Sequence, residues 1–161
     1  MNLAEAVARG AELSDERALA ELRREVADDI EAAARSPNFQ LRAVAYRAIG
    51  QLRFNQKTEL LRRGLEDESP ACRGSALISL ERLSREQPGL VNAVRPLLHT
   101  LAYSDAHQSV RRLAVFCLKN GSPNRETLTL LAHLVHEAEE KDLRATASSV
   151  HRVLRRKAGP R

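Results

Sequence analysis

The chain has 161 residues, of which 43% are hydrophobic and 29% are charged. This balance excludes an intrinsically disordered chain and a membrane-embedded one, and the length suits one domain with a real core. The formal net charge of +5 is unevenly spread, because residues 1–35 carry 5 basic and 9 acidic residues whereas residues 141–161 carry 7 basic and 1 acidic. An acidic start and a basic end predict opposite surface fields at the two ends of the molecule.

The first ten residues predict neither a signal peptide nor a membrane span, because they carry Glu5 and Arg9 and lack an apolar run. The default compartment for such a chain is the cytoplasm. The two cysteines, Cys72 and Cys117, lie in separate apolar helical patterns. We expect buried free thiols there, since a pair this sparse makes neither a disulfide framework nor a zinc site.

The composition favours helices along the whole chain, since alanine, leucine, arginine and glutamate dominate and β-branched and aromatic residues are sparse. Helix-start signals recur, among them Ser14-Asp15 and Ser69-Pro70. The pattern predicts helices over residues 2–10, 14–35, 38–53, 56–65, 70–85, 88–102, 106–120, 123–138 and 141–157. No strand-like alternation is present, so the sequence predicts an all-α protein.

An internal repeat runs through these helices, at spacings of 31, 38 and 33 residues. Each copy opens with an apolar residue followed by arginine: Leu41-Arg42, Cys72-Arg73, Val110-Arg111 and Leu143-Arg144. Alanine follows three residues after every arginine, as Ala45, Ala76, Ala114 and Ala147. Positions seven and ten after the arginine complete an apolar helical stripe with Ile49, Leu52, Leu80, Leu83, Leu118 and Leu154.

The alanine column has a physical reason, because a small side chain lets two antiparallel helices approach closely. The fourth copy departs from the stripe at His151, where an apolar residue is expected. A terminal repeat has no later neighbour to cover that face, so a polar residue there suits the end of a stack.

The repeat resembles the HEAT-repeat family, and the segments from Asp67 to Arg73 and from Asp105 to Arg111 carry the resemblance best. It implies a short right-handed α-solenoid of about four antiparallel helix pairs. We expect a single domain over residues 1–161, with an N-terminal helical cap at 1–35, repeats at 36–157 and a disordered tail at 158–161. Armadillo-type repeats and an ordinary helical bundle are the alternatives.

The arginine column has two interpretations: it could be a nucleic-acid-binding surface, or it could join one repeat to the next. In proteins of the HEAT type this arginine usually joins an inter-repeat polar ladder with an acidic residue at the helix start, where a hydrogen-bonded Arg–carboxylate pair fixes one repeat against the next. The resemblance therefore implies a structural ladder rather than a binding surface. Its members would be Arg42, Arg73, Arg111, Arg144, Asp67 and Asp105.

A second basic set falls outside the apolar stripe and is better placed for binding. Helices at the same end of each repeat line one face of a solenoid, so such residues could form a basic track, as phosphate binding would require. The candidate track consists of Arg47, Arg82, Arg85, Arg112, Lys119, Arg152, Arg155 and Arg156.

No catalytic set is apparent, because the chain lacks a nucleophile elbow, a P-loop and a dinucleotide fingerprint. The only metal-like spacing is His133, His136 and Glu137, which we interpret as polar helix surface. We therefore expect no enzyme activity, no cofactor and no metal. The favoured function is a non-catalytic adaptor or scaffold that binds another protein, with an acidic surface, and no membrane. Nucleic-acid binding through the basic track is the alternative, and a HEAT-like lyase or accessory enzyme subunit is the third hypothesis.

Overall fold

The computed structural model describes residues 2–159, and the regular structure of this part of the chain is entirely helical. It contains ten α-helices and a 3₁₀ turn at Asn55–Lys57, with no strand. The helices are α1 Leu3–Glu12, α2 Glu16–Ala34, α3 Phe39–Gln51, α4 Thr58–Leu65, α5 Pro70–Ser84, α6 Gly89–Ala93, α7 Arg95–Ser104, α8 Gln108–Leu118, α9 Arg125–Glu137 and α10 Lys141–Lys157. The prediction of an all-α fold is confirmed. Of the predicted disordered tail, residues 160–161 lie outside the described part of the chain.

The helices begin where short polar side chains can accept backbone N–H groups that have no partner within the helix. Asp15 caps α2 by accepting from the N–H of Arg17, as the Ser14-Asp15 signal predicts. Asn38 caps α3, and Asn124 caps α9 by accepting from two successive backbone N–H groups. Local sequence therefore sets the first turn of these helices independently of their packing.

The predicted single helix at 88–102 is wrong, because the structure has two helices there, α6 and α7. The break lies at Val94, whose backbone leaves the helical region (φ −115°, ψ 16°). Pro96 occupies the first turn of α7. Proline lacks the N–H that would continue the ladder, and its ring collides with the preceding turn, so it starts a helix but interrupts one that is already running.

The chain divides into two compact units between Leu83 and Ser84. In the first unit, α2 packs along α3, and α1 contacts both of them. The long helix α2 is therefore the first member of a pair, although its residues fall within the segment predicted to be an N-terminal cap. A short loop joins α4 to α5. The two helices pack so closely that a Cβ at Gly64 of α4 would lie 2.7 Å from the Cβ of Ala76 in α5.

In the second unit, α7 pairs with α8 and α9 pairs with α10. The second helices of these pairs, α8 and α10, also lie side by side. Arg112 in the first turns of α8 faces Glu140 at the start of α10, and Lys157 at the end of α10 donates to the carbonyl of Gly121 just beyond α8. The two helices therefore run parallel, as the second helices of successive repeats do.

The alanine column is completely buried in all four copies, and so are the aliphatic residues that follow it in the stripe. Gly64 beside Ala76 shows the close approach that the small side chain permits. The first stripe position departs from the prediction, because Leu41 is 50% exposed. The reason is that α1 packs on α3 near Leu52, at the far end of the helix, and leaves its first turn uncovered.

Candidate binding surfaces

The arginine column begins with a paired arginine in the first unit. Arg42 donates from Nε to Oδ2 of Asp67 at 2.9 Å and from Nη2 to Oδ1 at 3.0 Å, which is a bidentate pair. Its remaining nitrogen, Nη1, donates to the carbonyl of Ser36 at 3.0 Å. Only 13% of the arginine side chain and 8% of the carboxylate are exposed. The contact thus ties the start of α3 to the loop before α5, which is the geometry of a ladder step between repeats.

The electrostatics of this pair follow from its geometry. Burial acts to raise the pKa of Asp67, but the hydrogen bonds from Arg42 and from the N–H of Ser69 outweigh it and hold the pKa below its usual range. The same pair raises the pKa of Arg42. Both groups therefore stay charged, and neither is available to a ligand.

The other arginines of the column donate to backbone carbonyls. Arg73 donates from Nη1 to the carbonyl of Asp67 at 2.9 Å, and Arg144 donates from Nη1 to the carbonyl of Ala138 at 2.8 Å. Arg111 instead donates from Nε to the carbonyl of Ala102 at 2.9 Å. The carboxylate of Asp105 accepts from the N–H of His107 at 2.9 Å. Arg73 and Arg144 thus hold the loop that joins the two helices of their pair, whereas Arg111 holds the last turn of α7.

The candidate basic track has two half-buried members and six exposed ones. Arg112 is engaged, because its guanidinium lies 3.9 Å from Oε1 of Glu140 and 3.8 Å from Oδ2 of Asp142. Lys119 is also engaged, since its ammonium lies 3.5 Å from the centroid of the Phe116 ring. The exposed members are Arg47, Arg82, Arg85, Arg152, Arg155 and Arg156.

A hollow of about 390 Å³ lies between α8 and α10 in the second unit. Leu113 and Phe116 supply its apolar wall, and the Phe116 ring is 40% exposed. Exposure of a large aromatic side chain beside an open groove is a feature of interaction surfaces. The complete lining is Ser109, Arg112, Leu113, Phe116 and Thr146.

The two ends of this groove carry different charged groups. At the end where both helices begin, the guanidinium of Arg112 faces the carboxylates of Glu140 and Asp142. At the other end stand Lys119, over the aromatic ring, and Lys157, whose Nζ donates to the carbonyl of Gly121 at 3.2 Å. Burial, and then the neighbouring charge of Lys119, lowers the pKa of Lys157. Two lysines therefore lie near the aromatic side chain at this end of the helices.

The sequence interpretation missed Leu113 and Phe116. They lie two and five residues after Arg111, outside the buried stripe. The position of Phe116 is held by Arg47 in the first copy. The sequence did hold a signal for this surface. A large apolar residue lies outside the stripe at a position where another copy has a charged residue. Ile78 occupies the same position in the second copy and is also exposed.

The side chains that could support other chemistry are dispersed or enclosed. His133 and His136 are exposed on α9, and the His133 ring lies 5.9 Å from that of Tyr103. Within residues 2–159 no three histidine, cysteine or acidic side chains converge as metal ligands would. Cys72 and Cys117 are buried free thiols, as expected, and burial raises the pKa of Cys72.

None of the helices described between residues 2 and 159 has the length and apolar character needed to cross a membrane. Residues 26–100 match the family model for HEAT repeats, from the second half of α2 into α7. No curated protein matches the chain. The match supports the resemblance seen in the sequence, and HEAT repeats generally mediate protein–protein interactions.

Proposed function

Because residues 26–100 are HEAT repeats, we propose that this protein is a non-catalytic adaptor whose second unit binds a segment of another protein. The observation that carries the proposal is the groove between α8 and α10, with the exposed Phe116 ring at its wall. Partially exposed aromatic residues in a groove act as anchors, and a few such residues supply most of the binding energy of an interface. The arginine column is occupied by loop contacts, which leaves this groove as the better candidate.

The charge of the groove defines the partner. Lys157 lies at one end of the groove, on the same side as Phe116 and Lys119. We propose a partner segment with an apolar side chain that packs on Phe116 and with a carboxylate near Lys157. Such charges raise the association rate and fix the direction in which the segment lies. We also propose a cytoplasmic location, in keeping with two cysteines that form no disulfide.

Comparative affinity capture tests this function. The full chain and its Phe116→Asp variant would be used as baits, together with Tyr103→Asp, which introduces the same charge at an exposed aromatic residue of α7. A protein captured by the wild type and by the Tyr103 variant, but lost with the Phe116 variant, would then be purified. We expect its affinity for the Phe116 variant to fall at least about tenfold, the effect of a modest interface anchor.

Salt dependence provides the second arm of this experiment. A partner held by an aromatic anchor should keep most of its affinity at moderate salt, since apolar burial is not screened. Equal binding to the wild type and to the Phe116 variant would refute the groove as the interface.

Nucleic-acid binding is the second candidate, and the observation in its favour is the run of exposed arginines Arg152, Arg155 and Arg156 on the last turns of α10. Phosphate contacts of this kind make affinity fall steeply with salt. The test is a gel shift with duplex DNA and with RNA over a salt series, using the wild type and a variant with these three arginines changed to glutamate. No shift at low salt would end this interpretation.

A further inference from the structure

A second hollow, of about 770 Å³, lies between α9 and α10, away from the groove that holds Phe116. Its floor contains Leu128 and Ala132, and its polar side chains are chiefly hydrogen-bond donors. The complete lining is Pro123, Asn124, Arg125, Leu128, Thr129, Ala132, His151, Arg155 and Ala158.

The helical positions explain why three cationic or cation-capable side chains meet here. His151 and Arg155 are four residues apart on α10 and therefore share one face of that helix. Arg125 is the first residue of α9, which packs against α10 in the opposite direction, so it lies near the last turns of α10. Within residues 2–159, none of the residues that line this hollow is a carboxylate.

The sequence supplies an independent observation. His151 occupies the stripe position that holds a buried aliphatic residue in the other copies, namely Ile49, Leu80 and Leu118. If the last repeat only had to be soluble at its uncovered face, any polar side chain at this position would be enough. A histidine that shares the lining of one hollow with two arginines instead makes a donor set suited to an anion.

We propose that this hollow binds a phosphate monoester, with Arg125 and Arg155 as the charged donors and His151 as a further donor in the same lining. Guanidinium groups bind phosphate oxygens through strong, directional charge-assisted hydrogen bonds. The hydroxyl of Thr129 is a further donor in the lining. The backbone N–H groups at the start of α9 do not contribute, because the Asn124 side chain already accepts from two of them.

The two sources of such a group are a phosphorylated residue of a protein and a small phosphorylated molecule. Nuclear magnetic resonance titration of the full chain separates them at constant ionic strength. The probes are sodium phosphate, a short phosphoserine peptide, the same peptide without phosphate, and sodium chloride as the blank. We expect saturable shifts of amide signals at the start of α9 and the end of α10 with both phosphate probes. Tighter binding of the phosphopeptide identifies a protein ligand, whereas equal binding identifies a small molecule.

Variants make the proposal specific. Arg155→Ala should weaken phosphate binding about tenfold, the effect of losing one charge-assisted bond, whereas the matched variant Arg152→Ala on the same helix should leave it unchanged. His151→Leu restores the aliphatic type of the other copies, so it should weaken binding without unfolding the chain.

Two results would overturn the phosphate site. One is equal weakening by Arg152→Ala and Arg155→Ala, which would mean diffuse attraction to a basic helix. The other is a linear, non-saturating response to both phosphate probes. The site is independent of the proposed protein-binding groove, so Phe116→Asp should bind phosphate like the wild type even if the groove proves unused.

Discussion

The two units of the molecule use the same buried stripe but treat the polar groups around it differently. In the first unit, Arg42 and Asp67 form a bidentate pair, and the N–H of Gly50 donates to Oγ of Ser79 at 3.0 Å. In the second unit, Arg112 faces Glu140 at 3.9 Å, and an open groove exposes Phe116 beside it. The first unit thus has a tight ion pair between its helices, whereas the ion pair beside the groove of the second unit is looser.

This contrast follows from how a helical repeat is built. The stripe must be apolar and close-packed wherever a neighbouring helix covers it, whereas outward positions carry no such requirement. The position that holds Arg47 in one copy holds Phe116 in another, and both are exposed. Repeats that share one scaffold can therefore differ completely in surface chemistry.

The largest expected effect comes from the tight joint of the first unit. A Cβ at Gly50 would lie 2.7 Å from the backbone Cα of Ser79, so Gly50→Ala must push α3 and α5 apart. We expect the free energy of unfolding to fall by about 3 kcal/mol, as for an overpacked core, measured by urea denaturation.

The matched control for that change is Gly89→Ala at the start of α6, where a new Cβ meets nothing within 4 Å. It should be neutral or slightly stabilising, because alanine is the better helix former. If both alanine variants unfold at the wild-type urea concentration, the first unit is not tightly joined at Gly50.

We expect a smaller loss of stability when the ion pair is removed, and this loss should depend on pH. The folded-state pKa of Asp67 is lowered, so its stabilisation is present above the unfolded pKa of about 3.9 and is lost as pH falls through the folded value. Asp67→Asn should therefore be less stable than the wild type near neutral pH, and the difference should shrink in acid. Urea denaturation over an acid-to-neutral pH series measures it.

Glu68→Gln is the control for the ion pair. Glu68 also faces Arg42, at 4.0 Å, but its side chain is 94% exposed, so solvent screens the interaction. This variant should follow the wild-type pH profile closely. A loss equal to that of Asp67→Asn would show that overall charge near Arg42 matters, rather than the buried bidentate pair.

The smallest expected effect lies in the second unit. His99 is half-buried, and its Nε2 lies 2.8 Å from Oγ1 of Thr127. Burial, and then the charge of Arg95, lowers its pKa, so this histidine favours folding above the unfolded pKa of about 6.5 and that contribution is lost as pH falls through the folded value. His99→Gln should remove this slope, measured by thermal unfolding between neutral and mildly acidic pH.

His136→Gln is the control, because His136 is exposed in the last turn of α9. It should leave the mildly acidic slope unchanged. An unaltered slope in His99→Gln would place the acid sensitivity of the second unit elsewhere, and the contrast between the pH ranges of the two units would fail.

The sequence by itself determined the helices, the repeat and the buried stripe, because each depends on local spacing and on side-chain size. The alanine column predicted close helix contacts, and all four alanines are buried. The break before Pro96 was also within reach of the sequence, since a proline in the interior of a predicted helix interrupts it.

Only the tertiary structure decided which polar groups meet. Arg42 finds the carboxylate of Asp67, whereas Arg144 finds only loop carbonyls, although both follow the same motif. Leu41 stays exposed because α1 covers the other end of α3, and Phe116 becomes a groove wall only when α10 lies beside α8. Pairing and exposure depend on what a neighbouring element places opposite a residue, and spacing along one helix carries no information about that neighbour.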